Sequence, residues 1–251
     1  MVRFAWIDGR TVDVRQMPDA RPYVVERIHT LDYRAQRMER HLDVLRTSAG
    51  ELFGFAPLCR ARDMERIVAE LLAHNGMTRT LSCPVRVKLS SRAELMVECE
   101  PPTFGSGCYL RAKMPVAAAL SYDAPPWECR SSMTEEIVAV ADRMVHMQGA
   151  DAAIRVDSQN MVAGWAWSPL FLVRDRHLFT PREYASAEYG LAVEAASRAG
   201  LQVHARPFSV RALDYADEIF SVDSMGMTAY SRIGKRLLSS TIAARMASCF
   251  E

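Results

Sequence analysis

The chain has 251 residues, 49% of them hydrophobic and 24% charged, with a formal net charge of +1. That balance supplies apolar material for one large core or two modest ones, and it lacks the basic excess of a nucleic-acid binder. The opening residues Met1–Arg10 show no apolar h-region or cleavage pattern, and no apolar run approaches the roughly 20 residues that span a bilayer. A cytoplasmic location is expected, with neither nucleic acid nor membrane as partner.

In chain order, residues 3–7 and 23–30 read as short strands on either side of the proline-bearing Met17–Pro22. A helix over 37–51 sets Met38, His41, Leu42, Leu45 and Ala49 on one face. A second runs from about Ala61 to Asn75 and is stopped by Gly76. The alternating runs Val85–Leu89, Leu95–Glu98 and Val116–Leu120 predict strands of one antiparallel sheet. Ser121-Tyr122-Asp123-Ala124-Pro125-Pro126 reads as an interdomain connection, since paired prolines neither continue a helix nor complete a ladder.

Beyond it, a helix is expected over 133–148, then strands near 153–157, 161–166, 169–173 and 177–179. A helix over 183–199 ends at Gly200; strands near 201–205 and 218–222 flank a helical turn at 209–215, and a last helix occupies 235–249. The expected architecture is α/β (α+β) in two domains: a smaller one over 1–120, a linker at 121–126 and a larger one over 127–251. The apolar side chains Leu237, Leu238, Ile242 and Met246 fit either a core or an interface. The six cysteines, Cys59, Cys83, Cys99, Cys108, Cys129 and Cys249, form no C-x-x-C pair. No metal site is therefore expected, and the thiols read as reduced.

A family resemblance rests on motifs in order along the chain. Glu39-Arg40-His41-Leu42-Asp43-Val44-Leu45-Arg46-Thr47-Ser48-Ala49 resembles the "E-R-H-L-x-R-L-x-x-S-A" helix of class-IV aminotransferases. Gly149-Ala150-Asp151-Ala152-Ala153-Ile154 resembles that family's "G-A-D-E-A-L" turn, and Leu170-Phe171 with Leu178-Phe179-Thr180-Pro181 resembles its "N-L-F … L-x-T-P". Tyr189-Gly190 falls where the family has the "P-G" of a phosphate-binding turn. Leu213–Phe220 resembles "L-x-x-A-D-E-V-F", followed by the glycine of Ser224-Met225-Gly226-Met227. The resemblance implies the two-domain fold-type IV architecture of the D-amino-acid aminotransferase and aminodeoxychorismate lyase relatives, and a homodimer.

It also implies pyridoxal-phosphate chemistry, which needs a Schiff-base lysine, an acid at the pyridine nitrogen and a phosphate cradle. Counting back from Gly149 to the family's lysine position reaches Ser131 or Arg130. The chain has three lysines, Lys88, Lys113 and Lys235, and none lies there. Arginine does not replace lysine, because its guanidinium stays protonated. Gly164 takes the acid's place, Pro169 the asparagine's and Val44 that of the phosphate arginine. The turn reads Gly190-Leu191-Ala192-Val193 without its hydroxyl, and Ser224 remains as a hydroxyl on the phosphate side.

Several residues stand where a ligand would meet the cleft. They are Cys129, Arg130, Ser131 and Ser132 at a strand end, Trp165 and Trp167 on the acid's loop, and Arg86 and Lys88 on one face of a strand. Each has a plainer role beside it: a structural thiol for Cys129, packing for the tryptophans, solvated charge for Arg86 and Lys88, and a packed histidine for His41.

The expectation drawn from these losses is a class-IV aminotransferase-family protein with a degenerate cofactor site. It would hold no cofactor and bind a small molecule or a protein partner. Two alternatives stand beside it: an enzyme with a repurposed cleft, and a pyridoxal-phosphate-dependent aminotransferase or aminodeoxychorismate lyase, hence a transferase or lyase, whose lysine lies elsewhere.

Overall fold

The structure is a computed structural model that describes residues 2–102, 109–125, 127, 129–224 and 226–250. Met1, Cys108, Pro126 and Met225, named above, lie outside these. The chain divides into two compact units, one of residues 1–106 with 129–133 and the other of 107–128 with 134–251.

The first unit is built on five antiparallel strands: β1 (Phe4–Ile7), β2 (Arg10–Asp13), β3 (Tyr23–Ile28), and two more described below. A two-stranded ribbon, β4 (Thr30–Leu31) with β5 (Arg34–Ala35), follows β3. Helices α1 (Met38–Phe53) and α2 (Ala61–His74) come next, then β6 (Val85–Ser90) and β7 (Leu95–Cys99). The sheet order is β2-β1-β7-β6-β3. α1 packs on β3, and α2 on β1 and β7. The helical periodicity explains this: Met38, His41, Leu42, Leu45 and Ala49 all point inward, as do Met64, Val68, Leu71 and Leu72 of α2. Each fully buried aliphatic side chain contributes about 1.5–3 kcal/mol. α1 closes at Gly54, whose φ of +73° is the left-handed cap that glycine adopts without a steric penalty. Asn75, after α2, ties the helix to the sheet by accepting from the Arg3 and Phe4 amides.

The second unit holds two sheets. β8 (Val116–Ser121) runs parallel to β9 (Ala152–Val156), after the intervening helix α3 (Ser132–His146). β10 (Leu170–Arg174) and β11 (His177–Thr180) form a hairpin. α4 (Ala187–Arg198) and β12 (Val203–Ala205) follow, then a 3-10 turn at Val210–Tyr215 and the hairpin β13 (Glu218–Asp223) and β14 (Gly226–Ala229). Short β15 (Arg232–Ile233) and β16 (Arg236–Leu237) precede α5 (Thr241–Ala247). The sheet orders are β12-β11-β10-β13-β14 and β16-β15-β8-β9. Ala117 and Ile154 of one sheet meet Leu170, Leu172 and Ile219 of the other in a shared core with Val162, Leu213 and Tyr230.

Four expectations need correction. Val116–Leu120 is no part of the first sheet: β8 pairs in parallel with β9 and β15, so the expected boundary at 120 moves ahead of it. A parallel neighbour reached through a helix cannot be recognised from a strand's own alternation. Residues 161–166 form isolated bridges rather than a strand. The 183–199 helix begins only at Ala187, and the last helix shrinks to Thr241–Ala247 because Arg236 and Leu237 pair as β16. Met246 is fully buried while Leu237 stays exposed, so the four apolar residues of that stretch do not share a face. No helix among the described residues is long and apolar enough to cross a membrane.

The glycine of the Ser224–Met227 motif has a clear physical role. Gly226 has φ +102°, and a Cβ on it would lie 2.3 Å from the Tyr109 carbonyl oxygen. The same carbonyl accepts from the Met227 amide, so the backbones approach too closely for any side chain.

Candidate functional site

The candidate residues fall into two sets, one in each unit. In the first unit, Arg86 and Lys88 alternate on β6, which lies between β3 and β7 and so brings cross-strand neighbours within reach on both sides. Lys88 Nζ donates to both oxygens of Glu98 at 2.6 and 2.7 Å and sits 5.0 Å from the Tyr23 ring centroid. Arg86 reaches the Tyr23 hydroxyl at 3.4 Å, and Arg27 pairs with Glu100. Lys88 is therefore held in a half-buried ion-pair ladder across β3, β6 and β7.

Segment 129–132 also lies in the first unit, against β3. The Arg130 carbonyl accepts from the Val25 amide at 2.9 Å, Ser131 bridges Val24, and the Ser132 hydroxyl accepts from the Tyr23 amide at 3.4 Å. Cys129 is buried, and its thiol is pushed up to about 11, chiefly by burial and further by Glu51 and Glu26, against a hydrogen bond with Ser48. Reactive cysteines need the opposite shift, so this thiol is not an activated nucleophile. His41, read from the sequence as packed, is buried and its Nδ1 lies 2.7 Å from Glu26 Oε2.

Gly164, Trp165, Trp167, Gly190 and Ser224 belong to the second unit. Gly164 lies at a crowded point: its amide donates to the Tyr184 hydroxyl at 3.2 Å, and a Cβ there would stand 2.7 Å from that oxygen and 3.1 Å from the Leu170 nitrogen. Tyr184 thus fills the space an acidic side chain would need. Trp165 and Trp167 stack on each other at 4.6 Å, and the Arg155 guanidinium sits 4.5 Å from the Trp165 ring. Arg155 also donates to the Gly164 carbonyl at 3.3 Å. Burial pulls the Arg155 guanidinium down from its ordinary value, while Tyr122, Tyr184, Asp157 and Asp123 act to raise it. Tyr122, hydrogen-bonded to the Trp165 side chain, and Tyr184 are both raised, in each case by burial first.

Gly190 is not at a turn. α4 is opened by Ser186, whose side chain accepts from the Tyr189 amide, and Gly190 lies inside the helix. With the Tyr189 amide taken by Ser186, the first-turn amides left to meet an anion are those of Ala187 and Glu188, and the Glu188 side chain is itself buried there. Ser224 follows Asp223, which takes two bonds from Arg111 Nη2 at 2.7 and 2.6 Å. The Ser224 hydroxyl is buried and has no hydrogen-bond partner among the described residues. An unsatisfied buried hydroxyl costs about 1–3 kcal/mol, and an accepting ligand oxygen would remove that cost. A buried hydroxyl without a partner at Ser224 suits a phosphate-bearing group, and beside Gly164 the space a longer side chain would need is occupied by Tyr184.

Sequence reasoning missed Arg155, Tyr184, Tyr122 and Arg182. Arg155 carried a signal, a lone charge inside the apolar run Ala152–Val156. The tyrosines carried none, since only the fold brings residue 184 to residue 164.

Comparison with known proteins places these observations. No curated protein sequence matches the chain. Among solved structures, the branched-chain aminotransferase of Thermoproteus uzoniensis with norvaline superposes with a TM-score of 0.82 at 20% identity, covering 98% of this chain and 92% of that one. The T.th. branched-chain amino acid aminotransferase with pyridoxamine 5'-phosphate gives 0.82 at 18%, covering 100% and 93%. An aminotransferase from Brucella abortus bound to the cofactor PLP gives 0.80 at 20%, covering 98% and 96%. At these identities the likeness establishes the fold, that of fold-type IV aminotransferases. The complexes with pyridoxal and pyridoxamine phosphate also overturn the expectation of a chain without a cofactor: they point to pyridoxal phosphate. The family description Amino-transferase class IV matches residues 23–233, and the chain belongs to that family.

Proposed function

We propose that this protein holds a pyridoxal-phosphate-class cofactor, in its aldehyde or its amine form, without a covalent lysine link, and that lysine-dependent transamination does not run on it. One observation carries the reading: the commitments of the three lysines. Lys88 is clamped to Glu98 inside the first unit's sheet, Lys113 is exposed and faces Asp151, and Lys235 is exposed in the turn between β15 and β16. The position expected for the Schiff-base lysine carries Arg130 or Ser131.

The cofactor supplies an electron-withdrawing ring next to a carbon that carries aldehyde or amine. This chain's part is to bind and orient it. Ser224 would donate its hydroxyl to a phosphate oxygen, the first-turn amides of α4 would add backbone donors, and the Trp165–Trp167 pair would wall the ring's surroundings and exclude water. A second reading is an active aminotransferase that draws on one of the three lysines, in keeping with the cofactor complexes of similar solved structures.

Titration with pyridoxal phosphate and with pyridoxamine phosphate separates the two. The expected result is saturable binding of both, with no mass added to the intact protein after borohydride reduction of the pyridoxal complex. A cofactor adduct at Lys88, Lys113 or Lys235 would make the active aminotransferase the correct account. Absence of binding to either form would refute the cofactor reading itself.

A further inference from the structure

The Gly164 corner of the second unit inverts the polarity that the family's motif implies, and its hydrogen bonds say what replaces the acid. A phenol oxygen offers one proton and accepts up to two. The Tyr184 oxygen accepts from the Gly164 amide at 3.2 Å and is also hydrogen-bonded to the Arg182 side chain, which can only donate. Both partners therefore spend the oxygen's acceptor capacity, and the O–H proton is left to point at something else. Tyr184 is 5% exposed, and burial holds its hydroxyl in the neutral, proton-bearing form. Two guanidinium groups stand beside it: Arg155 at the Gly164 carbonyl, and Arg182 4.7 Å from the Tyr184 ring. The carboxylates Asp123 and Asp157 act on Arg155, Asp142 acts on Tyr122, and Tyr189 packs edge-on against Tyr184.

We propose that Tyr184 is the group that meets the ring nitrogen of the bound cofactor, donating its proton to an unprotonated pyridine in the place where the family's acid would hold a protonated one. The proposal rests on the cofactor reading above and names a positioning residue within it. A neutral phenol with a proton to give favours an accepting nitrogen over a pyridinium. The unprotonated ring draws electrons less strongly, which suits a protein that holds the cofactor more than one that drives carbanion chemistry on it.

The test is the nitrogen NMR spectrum of ring-15N pyridoxamine 5'-phosphate bound to the full chain, together with its affinity. The amine form is used because it needs no lysine. In the unsubstituted protein the ring nitrogen should resonate as an unprotonated, hydrogen-bonded pyridine from mildly acid to alkaline pH. Tyr184→Phe should move that resonance toward a pyridine without its donor and weaken binding about five-fold, the size of one hydrogen bond. Gly164→Glu together with Tyr184→Phe, which clears the 2.7 Å conflict, should yield a protonated ring. Bound ligand with a protonated ring in the unsubstituted protein would overturn this inference and leave the cofactor reading intact. So would a Tyr184→Phe protein with unchanged resonance and affinity. If Tyr184→Phe does not fold, the spectrum of the unsubstituted protein decides alone. No binding of the labelled amine would overturn the cofactor reading and this inference with it.

Discussion

Segment 129–132 in the first unit and the Gly164–Tyr184 corner in the second are both places where the family resemblance leads one to expect reacting groups, and they are built in opposite ways. Around residues 129–132 polar groups are spent on structure: the Arg130 carbonyl, the Ser131 backbone and the Ser132 hydroxyl all serve β3. In the second unit capacity is left over, in the Tyr184 proton and the Ser224 hydroxyl. A polar residue satisfied by its own fold is poor material for a ligand site, whereas one buried with spare capacity is costly until a ligand completes it. By this criterion the proposed ligand-binding groups are those of the second unit, although the sequence drew as much attention to the first.

The comparison is tested most strongly at Cys129. With its thiol pushed up to about 11 from 9.0, the thiolate at any pH below that range is depleted about 100-fold relative to an ordinary cysteine. Alkylation of the native protein at mildly alkaline pH, mapped by peptide mass, should label Cys129 more slowly than Cys59 and Cys249, which are less buried. Labelling of Cys129 first would return chemistry to the first unit. The next effect is on stability. Gly226→Ala combines a φ of +102° with a Cβ 2.3 Å from the Tyr109 carbonyl, and should cost about 3 kcal/mol or more in urea unfolding. A loss under about 1 kcal/mol would show that the β14 backbone can move aside.

The smallest effect sharpens the contrast most. Ser132→Ala removes an acceptor in use and should destabilise by about 1 kcal/mol. Ser224→Ala removes a buried hydroxyl with no partner among the described residues. It should leave the ligand-free protein unchanged or up to about 1 kcal/mol more stable while weakening binding of pyridoxamine phosphate. Equal losses at both serines in thermal unfolding would erase the distinction between the two regions.

Much of this was legible in the sequence for identifiable reasons. The α1 stripe of Met38, Leu42, Leu45 and Ala49 follows from the helical period alone, as do the β6 and β7 alternations, because each buries one face against a single partner. Motif order was enough to indicate the family, and the absence of a lysine near residue 130 is a property of the sequence itself. Tertiary structure decided the rest. Whether β8 joined the first sheet or the second depended on a parallel partner that lies beyond a whole helix. Gly190 moved from a turn into α4 because Ser186, four residues earlier, captured the helix start. The neighbour of Gly164 was likewise out of reach, since Tyr184 meets it through a contact between residues 20 apart, and no local period encodes which side chain a folded loop delivers there. Sequence determined which groups the chain owns; the fold determined which of them still have a hydrogen bond to give.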